Sequence, residues 1–247
     1  MMRSRFLRLL TTLVALPFTG CRLLLQKPTR PVRKLVFQPS DGATKETIVL
    51  LPGRLSPPEE FVQYGVVKEV QSRRPHAEII VPDLHLGYYM AGLADVCMHE
   101  EILSSARTQK HKVTILGVSM GGLGALMYSL RYPGEVDELL LLSPFVGEEA
   151  LITEIQAAGG LPKWESNVDI PRGKEQALRK CWGEMKRQWL PAGSSVRPTM
   201  KLAVGREDRL LRSNAYFAKE ILRKGEFVEL DGGHDWDCWL RCTQAVL

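Results

Sequence analysis

The run Gly117-Val118-Ser119-Met120-Gly121 sits between an apolar, β-branched stretch (residues 112–116) and a stretch of small and helix-favouring residues (122–130). A serine in that setting reads as the apex of a sharp strand-to-helix turn. Such a turn strains the serine backbone and draws together the residues two before and two after it. Only very small side chains fit at those two positions, hence Gly117 and Gly121. The Ser119 hydroxyl is lifted clear of the chain. The helix that follows points its unpaired N–H groups back at the serine, so the Met120 N–H is a candidate donor to a developing oxyanion. The competing reading is a glycine-rich turn with no chemistry. The buried-strand composition before Gly117 argues against it.

Strand signals recur at residues 34–38, 47–51, 77–81, 136–142, 200–204 and 226–230. Helix signals fall between them, at 56–73, 93–108, after the elbow, at 214–224 and from 235 to the end. In the first of these helices Ser56 reads as a cap, with Pro57 and Pro58 in the first turn and Glu59 closing a capping box. Strands alternating with helices predict an α/β fold, a doubly wound and mostly parallel sheet with its chemistry at the carboxyl ends of the strands. A chain of 247 residues, 45% hydrophobic and 25% charged, suffices for one core. That domain is expected at 33–247. Between 147 and 198 the pattern loosens, which reads as a small cap insertion. Its Trp164, Trp182 and Trp189 suggest an apolar acyl or aryl site, but packing explains them equally well.

The first residues read as an export signal. Arg3, Arg5 and Arg8 precede an apolar run over 9–18, and Phe18-Thr19-Gly20-Cys21 resembles a bacterial lipobox, with Cys21 as the lipid attachment site. Too few residues separate Arg8 from Arg22 for a spanning helix of about 20 residues. The expected organisation is a signal segment at 1–21, a proline-containing tether at 22–32, and a domain lipid-anchored in the cell envelope and facing the periplasm, with plain secretion as the alternative. Those three arginines also supply most of the formal charge of +5. The remainder carries no phosphate-tracking stripe, so nucleic acid is not an expected partner. Cys97, Cys181, Cys238 and Cys242 read as buried free thiols, since Cys238 and Cys242 stand four apart on one expected helix, a poor geometry for a disulfide. No metal or other cofactor signature appears.

A serine hydroxyl needs a base within hydrogen-bond reach, and the base needs a carboxylate to fix its tautomer. His234 is the only histidine that follows both the elbow and a second strand-end acid. His76 and His111 lie in polar stretches, His99 within a helix, and His85 before the serine. Asp208, in Gly205-Arg206-Glu207-Asp208 after a strand, is the first choice of acid; Glu207 is the adjacent alternative. Asp231 and Asp235 stand too near His234 in sequence to hold its ring. The loop Pro52-Gly53-Arg54 after an early strand offers the second oxyanion donor, the Arg54 N–H. Losing one such donor typically costs roughly 3 kcal/mol of transition-state stabilisation.

The segment 117–126 with Arg131-Tyr132-Pro133, and the ending Gly232-Gly233-His234-Asp235-Trp236-Asp237-Cys238-Trp239, resemble the esterase family that includes S-formylglutathione hydrolases, tributyrin-type esterases and mycolyltransferases, within the α/β-hydrolase superfamily. The tail is similar to that family's Gly-x-His-x-Trp-x-x-Trp. Leu51-Pro52-Gly53 departs from its usual His-Gly entry to the oxyanion loop. The resemblance implies a Ser119, Asp208, His234 triad cleaving carboxylic esters of small molecules through an acyl-enzyme. An acyltransferase using the same triad is the alternative, and a catalytically silent envelope binding protein a further one. Peptidase chemistry would use the same residues; dehalogenase chemistry would need a carboxylate where Ser119 stands.

Overall fold

The computed structural model describes residues 26–40, 42, 44–171, 173–191 and 197–247. The signal segment and Cys21 lie outside the described residues. Seven strands form one sheet: β1 (Lys34–Phe37), β2 (Glu46–Leu51), β3 (Ala77–Pro82), β4 (Lys112–Val118), β5 (Glu138–Leu142), β6 (Thr199–Gly205) and β7 (Phe227–Leu230). They lie in the order β1-β3-β2-β4-β5-β6-β7, with only β1 antiparallel. From β2 the chain runs outward to β3, then crosses back to β4 on the other side. Connections therefore diverge between β2 and β4, and a crevice opens at their carboxyl ends.

Both faces of the sheet are covered, which is why its central strands read as unbroken apolar runs. On one face Val49, Leu51, Ile115, Leu139, Leu141, Leu202 and Val204 pack beneath several helices: α3 (Leu86–Met90), α4 (Ala94–Cys97), α5 (Ser104–Thr108), α6 (Met120–Arg131), α7 (Glu149–Ala157), α8 (Lys174–Trp189) and α9 (Leu211–Ile221). On the other face Ile48, Leu50, Leu116, Val118, Leu140 and Leu142 pack beneath α1 (Glu59–Gln63), α2 (Val66–Arg73) and α10 (Trp236–Val246). Among the described residues no helix is long and apolar enough to cross a membrane.

The expected helix over 56–73 is two helices. Gly65, at φ 79°, breaks it, and Pro58 rather than Ser56 stands at the N-cap with no side-chain hydrogen bond. The expected helix over 93–108 is likewise α4 and α5 joined by a π-turn at Met98–Ile102. The three tryptophans of segment 147–198 are all buried in the apolar cluster that covers the sheet, so packing is the reading the structure supports.

The N-terminal ends of the strands are tied by charge. Arg74 Nη1 lies 2.7 Å from Glu46 and 3.0 Å from Glu138, Lys112 Nζ lies 3.0 Å from Glu138, and the Thr114 hydroxyl donates between both carboxylates. Burial works against ionisation of Glu138, yet hydrogen bonds from Arg74 and Lys112 hold its carboxyl down to about 2. A carboxylate depressed in the folded state stabilises fully above its unfolded value of about 4.3. That contribution, on the order of 3 kcal/mol, is lost as pH falls from about 4.5 towards 2. Urea unfolding of Glu138→Gln is therefore expected to start from lower stability at neutral pH and to lose less of it across that window than the parent.

Candidate active site

Ser119 follows β4 directly and caps α6, with φ 52° and ψ −113°. No non-glycine residue adopts that backbone without strain of about 1–3 kcal/mol, so neighbouring contacts must enforce it. They do. A Cβ on Gly117 would lie 2.5 Å from the Gly121 carbonyl oxygen, and one on Gly121 would lie 2.1 Å from that of Leu51. The elbow is thus pressed against β2 through positions where any side chain collides with backbone. From the other side the Ser119 N–H donates to the Leu142 carbonyl at 2.9 Å, and its own carbonyl accepts from the Phe145 N–H at 2.8 Å. Neither tie was legible in the sequence.

Above this elbow the structure brings Ser119, His234 and Asp208 together. His234 Nε2 lies 3.0 Å from Ser119 Oγ, and His234 Nδ1 lies 2.8 Å from Asp208 Oδ2. The Asp208 side chain is fully buried. Burial opposes its charge, but hydrogen bonds from His234 and from the Leu210 N–H, at 2.7 Å, hold the carboxyl below the ordinary range. Ser143, fully buried at the end of β5 with φ 45°, lies near enough to add to that effect, though its hydroxyl reaches hydrogen-bonding geometry with no partner. An ionised carboxylate only accepts, so the imidazole proton sits on Nδ1 and the Nε2 lone pair faces the serine. The arrangement can take a proton from Ser119.

The other acids near this centre have different partners. Glu207 accepts from the Gly232 N–H, Asp231 pairs with Arg206, and Asp235 caps α10 through the Cys238 N–H. His85 caps α3 by accepting from the Gly87 N–H, His99 lies against Glu135 and Arg107, and His111 meets Thr47. Each is satisfied away from Ser119. Cys97, Cys181, Cys238 and Cys242 are free and buried, and burial pushes the Cys181 thiol up to about 12. Among the described residues no group of three or more His, Cys, Asp or Glu is placed to hold a metal.

As the first residue of α6, Met120 has an N–H with no intrahelical acceptor. Gly53 lies against the elbow, where a Cβ would come within 3.7 Å of Ser119 Cβ, and Arg54 follows it. An aromatic chain ties the helix that follows this loop to the histidine. Trp236 Nε1 donates to Glu60 of α1 at 3.0 Å, its ring stacks on Tyr64 and meets Phe61 and Trp239 in T-shaped contacts, and Trp239 in turn makes a T-shaped contact with His234 at 5.0 Å between centroids. Sequence spacing does not show that α1 and α10 share one aromatic cluster.

A mostly parallel seven-stranded sheet whose elbow serine meets a histidine and a carboxylate at its carboxyl edge defines an α/β-hydrolase. Residues 99–241, more than half the chain, match the family described as "Putative esterase", and the chain belongs to that family. It is a hydrolase acting on esters. An acetyl esterase of Caldicellulosiruptor saccharolyticus is 25% identical over 96% of this chain and 91% of its own length. The fold is shared with the crystal structure of an S-formylglutathione hydrolase from Staphylococcus aureus, at TM-score 0.56 and 16% identity, covering 83% of this chain and 80% of that one. It is shared also with a ferulic acid esterase, at TM-score 0.57 and 20% identity, covering 86% and 89%.

Proposed function

We propose that this protein hydrolyses carboxylic esters through an acyl-enzyme on Ser119. His234 takes the hydroxyl proton as Ser119 attacks the acyl carbon, and returns it to the departing alcohol. Asp208 holds the imidazole and stabilises its charged form. The Met120 and Arg54 N–H groups receive the oxyanion, and water then deacylates the serine by the same proton path. The observation that carries this reading is the 3.0 Å approach of His234 Nε2 to Ser119 Oγ with Asp208 on the opposite nitrogen. Short acyl groups are the first substrates to try, since a relative over most of the chain is an acetyl esterase.

The test pairs a fluorophosphonate probe with nitrophenyl acetate on the protein lacking its first twenty-one residues. Stoichiometric labelling at Ser119, slowed while excess ester competes for the site, is expected. Labelling elsewhere, or none in folded protein, counts against the reading. Products formed with added glycerol separate water from an alcohol acceptor.

The lipobox-like ending at Cys21 supports a place in the cell envelope for the same enzyme. Metabolic labelling with a tritiated fatty acid should mark the full chain and not its Cys21→Ala variant. Equal labelling of the two would remove the anchor.

A further inference from the structure

Most described arginines of this chain are paired with carboxylates, including Arg206 with Asp231 and Arg212 with Glu149. Arg209 stands between those two in sequence and has no such partner among the described residues. It is exposed, and it follows Asp208 directly. Beside it lies a cleft of about 280 Å³ bounded by Phe145, Gly147, Glu148, Ile152, Arg209 and Leu210. Two of its wall residues are bonded to the triad: the Phe145 N–H donates to the Ser119 carbonyl, and the Leu210 N–H to the Asp208 carboxylate.

Glu148, Glu149, Arg209 and Arg212 line the cleft with balanced formal charge, but three of the four are held in ion pairs. Glu148 is taken by Lys174, whose ammonium also lies 5.8 Å over the Phe145 ring, and Glu149 is taken by Arg212. One guanidinium remains. On the β2 side of Ser119, Arg54 is also exposed and, among the described residues, without a carboxylate partner. An arginine left unpaired at a cleft wall presents a planar fork of donors suited to a carboxylate.

We propose that the esters this enzyme takes carry a carboxylate, which Arg209 binds in the cleft while the ester bond lies at Ser119. The inference rests on the reading of Ser119 as nucleophile. The carboxylate can belong to the acyl part, as in a half-ester of a dicarboxylic acid, or to the alcohol part, as in an acylated hydroxy acid. No new covalent step is involved: Arg209 adds binding in the ground and transition states, so its effect falls on KM for the charged ester.

Two matched pairs test this: nitrophenyl hemisuccinate against nitrophenyl butyrate, and 4-acetoxybenzoate against its methyl ester. The readout is the ratio of kcat/KM for charged over neutral ester. In Arg209→Glu that ratio is expected to fall by about tenfold or more in one pair, which identifies the side bearing the charge. Arg209→Lys should restore part of it, and added salt should lower it in the parent. A ratio unmoved by charge reversal in both pairs, with neutral esters still turned over, overturns the proposal and leaves the Ser119 reading standing. Failure of the parent to cleave any of the four esters would overturn both.

Discussion

Ser119→Ala is expected to lower ester turnover by about 10⁴-fold or more while leaving the protein folded. The substitution removes only Oγ, the atom 3.0 Å from His234, and keeps the Cβ that packs near Gly53. Any residual rate would come from the oxyanion donors acting on bound ester. Ser119→Gly sharpens the test. The native backbone at φ 52° and ψ −113° is strained for serine and not for glycine. The glycine variant should therefore be as inactive as the alanine one, yet about 1 kcal/mol more stable than the parent by urea unfolding. Gain of stability together with loss of activity marks a residue held for chemistry against its own preference. A Ser119→Ala protein that retains even a tenth of parental kcat would refute the assignment.

The elbow was readable from sequence because its requirement is local: two glycines flanking a serine, a β-branched run before and a helix after. The strands read well for a related reason. Runs such as Ile48–Leu51, with every residue buried, need burial on both faces and little else. The helices before the elbow did not read as well, because their limits are set elsewhere in the fold. Gly65 takes a left-handed conformation that splits the expected 56–73 helix, and the tail of α1 is then stacked against Trp236, far away in sequence. The oxyanion loop is harder still. Nothing in Pro52-Gly53-Arg54 itself announces that Gly53 will lie against Ser119; that follows from the β2–β4 pairing, in which Leu51 stands opposite Gly117. The separation of Asp208 from Glu207 shows the limit of spacing arguments. Spacing favours Asp208 over the adjacent Glu207 without excluding the latter. In the fold Asp208 turns inward to His234 while Glu207 faces outward and takes the Gly232 N–H.

That contact also marks where the machinery is least tolerant of change. Gly205 ends β6, three residues before Asp208, and Gly232 follows β7, two residues before His234. A Cβ on Gly205 would lie 2.0 Å from the Gly232 carbonyl oxygen and 2.9 Å from Cys238 Sγ. The first of these is backbone and cannot rotate away, so the two loops must part. Three interactions resist that parting: the Arg206 N–H to the Leu230 carbonyl, at 2.7 Å, the Glu207 N–H to that of Gly232, at 3.0 Å, and the Glu207 carboxylate on the Gly232 N–H. Gly205→Ala is therefore expected to cost about 1–3 kcal/mol of stability and, by moving His234 on the order of 1 Å from Asp208 and Ser119, to lower kcat about 10²-fold. Gly225→Ala is the matched comparison. At φ 87° it is strained for alanine, but its Cβ would meet nothing within 4 Å, and it lies outside both loops. It should lose about 1 kcal/mol of stability with kcat within twofold of the parent. If the two variants lose activity only in proportion to the stability they lose, the close approach of Gly205 and Gly232 does not position the histidine; a deficit confined to Gly205→Ala in protein shown to be folded shows that it does.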